Sequence, residues 1–222
     1  MKPYAPVITD ATAAAKLIHA GRIVAFPTGT SYGLAADALQ GLALQRLRNL
    51  KRRPSEKTFT VFMTDTLWPE HLSLTERETK LLATLAGQPL TLLVTPQASL
   101  AHLAHNNAIG LRLIDHPLMQ ALAAAAGVPL TATSANVAGQ EACLSPTAVL
   151  QQFPGLIDSD ETVYGEQGPA QGTTYDLSLG AILDGGTLPP AQPTTIAKIA
   201  GGEIEIIRQG ALTKEDLTKA IQ

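Results

Sequence analysis

Lys51-Arg52-Arg53, with Lys57 shortly after, concentrates positive charge in one turn of the chain, and Ser134-Ala135-Asn136 places a hydroxyl and a carboxamide close together far downstream. These side chains suit a nucleoside triphosphate. Arginine offers a planar fork of donors, lysine a compact charge, and serine and asparagine neutral hydrogen bonds for sugar or phosphate oxygens. Arg112 adds a third element, set inside the apolar run Ile109-Gly110-Leu111-Arg112-Leu113. A guanidinium there can grip both oxygens of a carboxylate. It can equally serve a structural ion pair, because an unpaired buried charge is costly.

Each of these groups stands at the end of an element that would hold it. A helix is predicted from Thr9 or Asp10 to about His19, stopped by Gly21. The apolar run Ile23-Val24-Ala25-Phe26 then reads as a buried strand ended by Pro27, delivering Thr28-Gly29-Thr30-Ser31-Tyr32-Gly33 to a loop. Residues 42–50 have helical spacing, and Pro54 prevents that helix from continuing past Lys51 and Arg53. Residues 58–63, 90–95 and 109–113 read as strands, and Thr75-Glu76-Arg77-Glu78 is a capping box for a helix reaching toward Gly87. Pro117 opens an Ala-rich helix closed by Gly127; residues 128–133 form a strand delivering Ser134, and Ser145-Pro146 begins a short helix. Periodicity collapses over residues 154–176, which read as a long loop or lid. Strands follow at 181–184, 194–199 and 203–207, then a terminal helix. Strands alternating with helices, ending in a cluster of strands, predict an α/β domain around a mixed sheet.

Composition narrows the partners. The chain has 222 residues, 45% of them hydrophobic, enough for one large domain over residues 1–222. A net charge of −3 and 4% aromatic residues argue against a whole-surface nucleic-acid binder and leave room for a local basic cleft. The single cysteine, Cys143, forms no internal disulfide and no cysteine-based zinc site, which points to a reducing compartment. No apolar run approaches the ~20 residues that cross a bilayer, and the N-terminal residues lack a signal-peptide core, so a cytoplasmic protein without a membrane partner is expected. His102 and His105 have helix-compatible spacing but no third ligand nearby, and no protein metal site is assigned. There is no Walker-type phosphate loop and no Gly-x-Gly-x-x-Gly, so a nucleotide site here must be of another type.

The string from Phe26-Pro27-Thr28 through Tyr32-Gly33-Leu34, followed by Leu50-Lys51-Arg52-Arg53-Pro54 with Lys57, resembles the YrdC-like threonylcarbamoyl-AMP synthases. Further matches occur in order: Gly87-Gln88-Pro89-Leu90-Thr91-Leu92, Ile109-Gly110-Leu111-Arg112, Thr133-Ser134-Ala135-Asn136, Ser145-Pro146-Thr147, Asp184-Gly185-Gly186, Pro193-Thr194-Thr195-Ile196 and Ile207-Arg208-Gln209-Gly210. Each string is weak alone. Their number and order extend the resemblance over about the whole chain.

The resemblance implies a single-domain YrdC-like α/β fold, a twisted mixed β-sheet flanked by helices with a concave, positively charged cleft. It implies condensation of L-threonine, bicarbonate and ATP, with Mg²⁺, into threonylcarbamoyl-AMP and pyrophosphate for tRNA threonylcarbamoyladenosine, the product passing to downstream tRNA-modification proteins. Mapped residue by residue, Arg53, Lys57, Ser134, Asn136, Ser145 and Arg208 fall at ATP-binding positions, with Lys51 the shared signature lysine; Lys51 and Arg53 would be the catalytic pair. Thr28, Tyr32, Arg112 and Thr194 fall at threonine-binding positions. The family's usual acidic residue is Gly29 here, its frequent strand histidine is Phe62, and Lys198 stands where Asp is common. The alternative is a paralogue that binds tRNA or double-stranded RNA, a translation-associated module with little or no synthase activity. A carbamoyl-adenylate enzyme of hydrogenase maturation would carry cysteine-rich zinc segments, which this chain lacks.

Overall fold

The computed structural model describes residues 5–52, 58–153 and 179–222. The chain starts with β1 (Val7–Ile8), α1 (Ala11–His19), β2 (Ile23–Pro27), β3 (Tyr32–Ala35), α2 (Gly41–Leu50) and β4 (Val61–Phe62). It continues through α3 (Trp68–His71), β5 (Leu72–Ser73), α4 (Glu76–Thr84), β6 (Leu90–Pro96), β7 (Ile109–Arg112), α5 (Pro117–Ala126), β8 (Leu130–Thr131) and β9 (Thr133–Ser134). Last come α6 (Pro146–Gln152), β10 (Leu179–Leu183), β11 (Thr195–Ala200), β12 (Glu203–Arg208) and α7 (Lys214–Ile221). Among the described residues no helix is long and apolar enough to cross a membrane.

The helix starts follow from local chemistry. Asp10 accepts the Thr12 N–H at 2.8 Å to begin α1, and both arms of the Thr75–Glu78 capping box are formed at α4. The strands form mixed sheets in an α/β arrangement, as expected, with the pairing divided in two. One sheet has the order β1-β10-β2-β3-β9, and the other β12-β11-β6-β7-β4-β8 with β5 beside β6. The larger core cluster draws Ile23, Ala25 and Leu34 from the first sheet and Leu90, Leu92 and Leu111 from the second. A second cluster joins Ile18 of α1 and Met119 and Leu122 of α5 to Phe26 and Phe62, whose rings stack at 4.9 Å.

Two local expectations change. Tyr32 and Gly33 are not loop residues; they begin β3, which returns antiparallel to β2 with Gly33 opposite Phe26. A Cβ at Gly33 would lie 3.0 Å from the Phe26 ring, so close packing of the hairpin requires the glycine that made this segment read as a loop. The expected single strand over 128–133 is two short strands with different partners. Leu130 and Thr131 pair with β4, whereas Thr133 and Ser134 pair with β3, so the chain changes sheets at Ala132. The segment between β6 and β7 holds a short 3₁₀ helix, Ala98–Leu103.

Candidate active site

A cavity of about 550 Å³ opens where these sheets meet. Its lining combines the β2–β3 hairpin (Thr28, Thr30, Ser31, Tyr32), β7 (Arg112), β9 (Thr133, Ser134) and the segment into and out of β11 and β12 (Thr194, Arg208). Six residues expected at the site from sequence therefore share one cavity: Thr28, Tyr32, Arg112, Ser134, Thr194 and Arg208. Thr30, Thr60, Thr91 and Thr133 complete a rim of hydroxyls that sequence alone did not single out. Register supplies the missing signal for Thr91, which stands directly opposite Arg112 across β6 and β7.

Arg112 is the node of the cavity. Its Nη1 donates to Thr194 Oγ1, while Nη2 lies 3.3 Å from both Thr28 Oγ1 and Thr30 Oγ1 and 2.6 Å from Asp115 Oδ2. Its Nε is buried with no hydrogen-bond partner among the described residues. Asp115 was not legible as part of this arrangement; its one local cue is the Arg112–Asp115 spacing at the end of a buried strand. Arg208 approaches from β12, and its Nη2 donates to the Thr194 carbonyl at 2.7 Å. Burial, reinforced by the nearby Arg112 charge, pulls the Arg208 pKa below the ordinary guanidinium value. Two guanidinium groups thus bracket one threonine, an arrangement suited to two anionic groups held near each other.

The Lys51 turn is organised differently. Lys51 caps the end of α2 and is buried, and its ammonium donates to the Ser134 carbonyl and, at 2.8 Å, to the Asn136 carbonyl. Ser134 Oγ donates to Asn136 Oδ1, and Asn136 Nδ2 donates to the carbonyls of Val137 at 3.0 Å and Gln140 at 2.7 Å. Lys51 and Asn136 therefore brace the turn that presents Ser134, rather than lining the cavity themselves. Ser145 likewise stands outside the lining, its hydroxyl capping α6 by accepting the Ala148 N–H at 3.2 Å. Arg53, Lys57 and the expected lid at 154–176 lie outside the described residues.

The Sua5–YciO–YrdC family model, described as "Telomere recombination", matches residues 16–210. The chain belongs to this family. A threonylcarbamoyl-AMP synthase of Stutzerimonas stutzeri is 35% identical over 176 residues, covering 76% of this chain and 93% of the relative. The synthase of Serratia proteamaculans is 30% identical over 199 residues, covering 87% of this chain and 92% of the relative. Among solved structures, Sua5 of P. abyssi complexed with L-threonine superposes with a TM-score of 0.76 at 25% identity; the match covers 95% of this chain and 57% of that one, so this chain spans little more than half of that protein. E. coli YciO superposes at a TM-score of 0.75 over 98% of this chain and 100% of that one, and at 19% identity it speaks for the Sua5–YciO–YrdC fold alone.

The three positions that depart from the family pattern do not line the cavity. Gly29 donates its N–H to Asp115 Oδ1 at 2.9 Å, Phe62 is buried against Phe26, and Lys198 pairs with Glu205 at 2.9 Å on the surface. Tyr32 does line it, but its hydroxyl is committed to the turn after β10, donating to the Gly186 carbonyl and accepting the Gly185 N–H, both at 2.9 Å. The His102 ring bonds the Ala38 carbonyl at 2.9 Å, and burial pushes the Cys143 thiol up to about 11, which leaves it an unreactive packing group.

Proposed function

We propose that this chain is a threonylcarbamoyl-AMP synthase, condensing L-threonine, bicarbonate and ATP into threonylcarbamoyl-AMP and pyrophosphate for the threonylcarbamoyladenosine modification of tRNA. It is a member of a family whose curated relatives are synthases of the nucleotidyltransferase type. The observation that carries the reading is the Arg112 node, a guanidinium ringed by the hydroxyls of Thr28, Thr30 and Thr194 beside a second guanidinium, Arg208. Arg112 takes the amino-acid carboxylate, and the hydroxyl rim orients the rest of the small polar substrate. Arg208 and Ser134 face the phosphates, with Arg53 and Lys57 as further phosphate ligands.

The chemistry needs no covalent enzyme nucleophile. The threonine amine and bicarbonate form a carbamate with loss of water, a carbamate oxygen attacks the α-phosphorus of ATP, and pyrophosphate leaves with the bond electrons. Catalysis consists of holding two anions against each other and stabilising charge as it moves to the leaving group. No carboxylate stands among the described lining residues, so the donor set does not suit a protein-held Mg²⁺; the ion would arrive on the triphosphate. The mixed anhydride would then pass to the proteins that modify tRNA. The test is pyrophosphate release from ATP, bicarbonate and Mg²⁺ with each amino acid in turn. Release that requires threonine is expected. Release indifferent to threonine, or none from folded protein, overturns the synthase reading, and RNA binding without turnover would favour the RNA-module alternative.

A further inference from the structure

We propose that Asp115 is a positioning residue for the amino-acid half of the reaction, acting through Arg112 and through the Gly29 loop; its substrate rests on the synthase reading above. The Asp115 side chain is 2% exposed and does not line the cavity, so its carboxylate does not meet substrate directly. It holds Arg112, which lines the cavity, and the Gly29 backbone between Thr28 and Thr30, which also line it. Oδ2 is 2.6 Å from Arg112 Nη2, and Oδ1 accepts the Gly29 N–H at 2.9 Å. A buried carboxylate holding a guanidinium fixes both the plane and the charge of the fork, because moving either partner leaves the other unpaired in a poorly polarisable interior. With Nη2 held by Asp115 and Nη1 by Thr194, the fork is immobilised in one orientation at the cavity wall.

Gly29 makes this clamp tight. A Cβ at position 29 would lie 2.9 Å from Cγ and Oδ2 of Asp115 and 3.0 Å from its carbonyl oxygen. Any side chain there would push the hairpin carrying Thr28 and Thr30 away from the carboxylate, and Arg112 with it. One acid thus sets the spacing between the hydroxyls and the guanidinium that together would receive an amino acid.

Asp115→Asn removes the charge while keeping the shape, and Gly29→Ala disturbs the same contact from the loop side. Both are expected to raise the KM for threonine by about tenfold or more while leaving the KM for ATP within about twofold, a split that general loosening of the fold does not produce. A readout free of substrate accompanies this: in ¹⁵N NMR spectra of the unliganded protein, the Arg112 Nη resonances are expected to be separate and slowly rotating in the wild type and to coalesce in Asp115→Asn. Equal rises in both KM values, no change in either, or Arg112 resonances indifferent to Asp115 overturn the proposal. Wild-type protein without threonine-dependent turnover sinks the synthase reading instead, and the NMR comparison still decides whether Asp115 clamps Arg112.

Discussion

At the Arg112 corner the polar side chains hold one another and still face the cavity, whereas at the Lys51 turn a side chain holds main-chain carbonyls behind it. Arg112 reaches Thr28, Thr30, Thr194 and Asp115, and three of those four partners line the cavity. Lys51 reaches the carbonyls of Ser134 and Asn136, and Asn136 in turn bonds Val137 and Gln140. Both arrangements use the residue types expected of an anion site, yet Arg112 lines the cavity whereas Lys51 is buried behind the turn it braces. A basic and polar signature can thus satisfy a turn's own backbone, which fixes the groups the turn presents.

The sharpest way to break this comparison is to remove each cation. Arg112→Ala leaves the Asp115 carboxylate buried without its partner, and is expected to cost about 3 kcal/mol of stability in chemical denaturation. Calorimetry should show threonine affinity falling by about a hundredfold or more in the same variant, as expected when one member of a buried charge pair is truncated. If Arg112→Ala binds threonine like the wild type, Arg112 is a structural ion pair and the two regions are alike.

Gly210→Ala asks whether the Arg112 corner depends on main chain as well as side chains. A Cβ at Gly210 would collide with the Pro193 carbonyl and lie 2.5 Å from the Thr195 nitrogen, on either side of the threonine that Arg112 and Arg208 share. Backbone has no rotamer with which to yield. Overpacking of this kind is expected to cost roughly 2 kcal/mol and to weaken threonine and ATP binding together, because Thr194 serves both guanidinium groups. A stable variant with unchanged affinities would show that this segment slides freely under the site.

How much of this was legible in the sequence follows from the range over which each interaction acts. The β2 core run, the α4 capping box and the start of α5 at Pro117 are governed by neighbours within a turn or two, and they stand close to where the pattern predicts them. The β3 strand was hidden because Gly33 fits against the Phe26 ring, a contact across a hairpin that a local reading takes for a turn. The split of 130–134 into β8 and β9 was hidden because the choice of strand partner is tertiary. The same holds within the site: Arg112 and Thr194 were nameable from their motifs, whereas Asp115 matters through Gly29, 86 residues away. Lys51, Asn136 and Ser145 were nameable from their motifs as expected ATP-binding positions, whereas the hydrogen bonds by which they hold their own turn or helix depend on the fold.

Lys51→Met examines the other side of the comparison. It keeps much of the apolar stem and removes the buried ammonium, leaving the carbonyls of Ser134 and Asn136 without this donor. The expected cost is about 1–2 kcal/mol, read as a lower midpoint in denaturant. Threonine affinity should change by less than about threefold, because Lys51 bonds the carbonyls of Ser134 and Asn136 whereas Arg112 bonds Thr28, Thr30, Thr194 and Asp115. A loss of threonine binding as large as that of Arg112→Ala would mean that both regions form one network.

The smallest effect concerns pH and acts on the Arg112 corner first. His116 follows Asp115 and caps α5, its Nδ1 accepting the Leu118 N–H at 3.1 Å. That acceptor exists only on the neutral ring, and burial holds the His116 pKa below its ordinary 6.5 despite the opposing pull of Asp115. Since the folded value is the lower one, the cap contributes fully above the unfolded value near 6.5 and is lost as pH falls through the folded value, where the unfolded chain has already taken up its proton. Denaturation midpoints should therefore drift down on acidification below about pH 6.5, with Asp115 loosened as the start of α5 frays. His116→Asn supplies a cap acceptor that does not titrate. It should flatten that part of the profile and leave the Lys51 turn unaffected, whereas a slope identical to the wild type would assign the drift to another group.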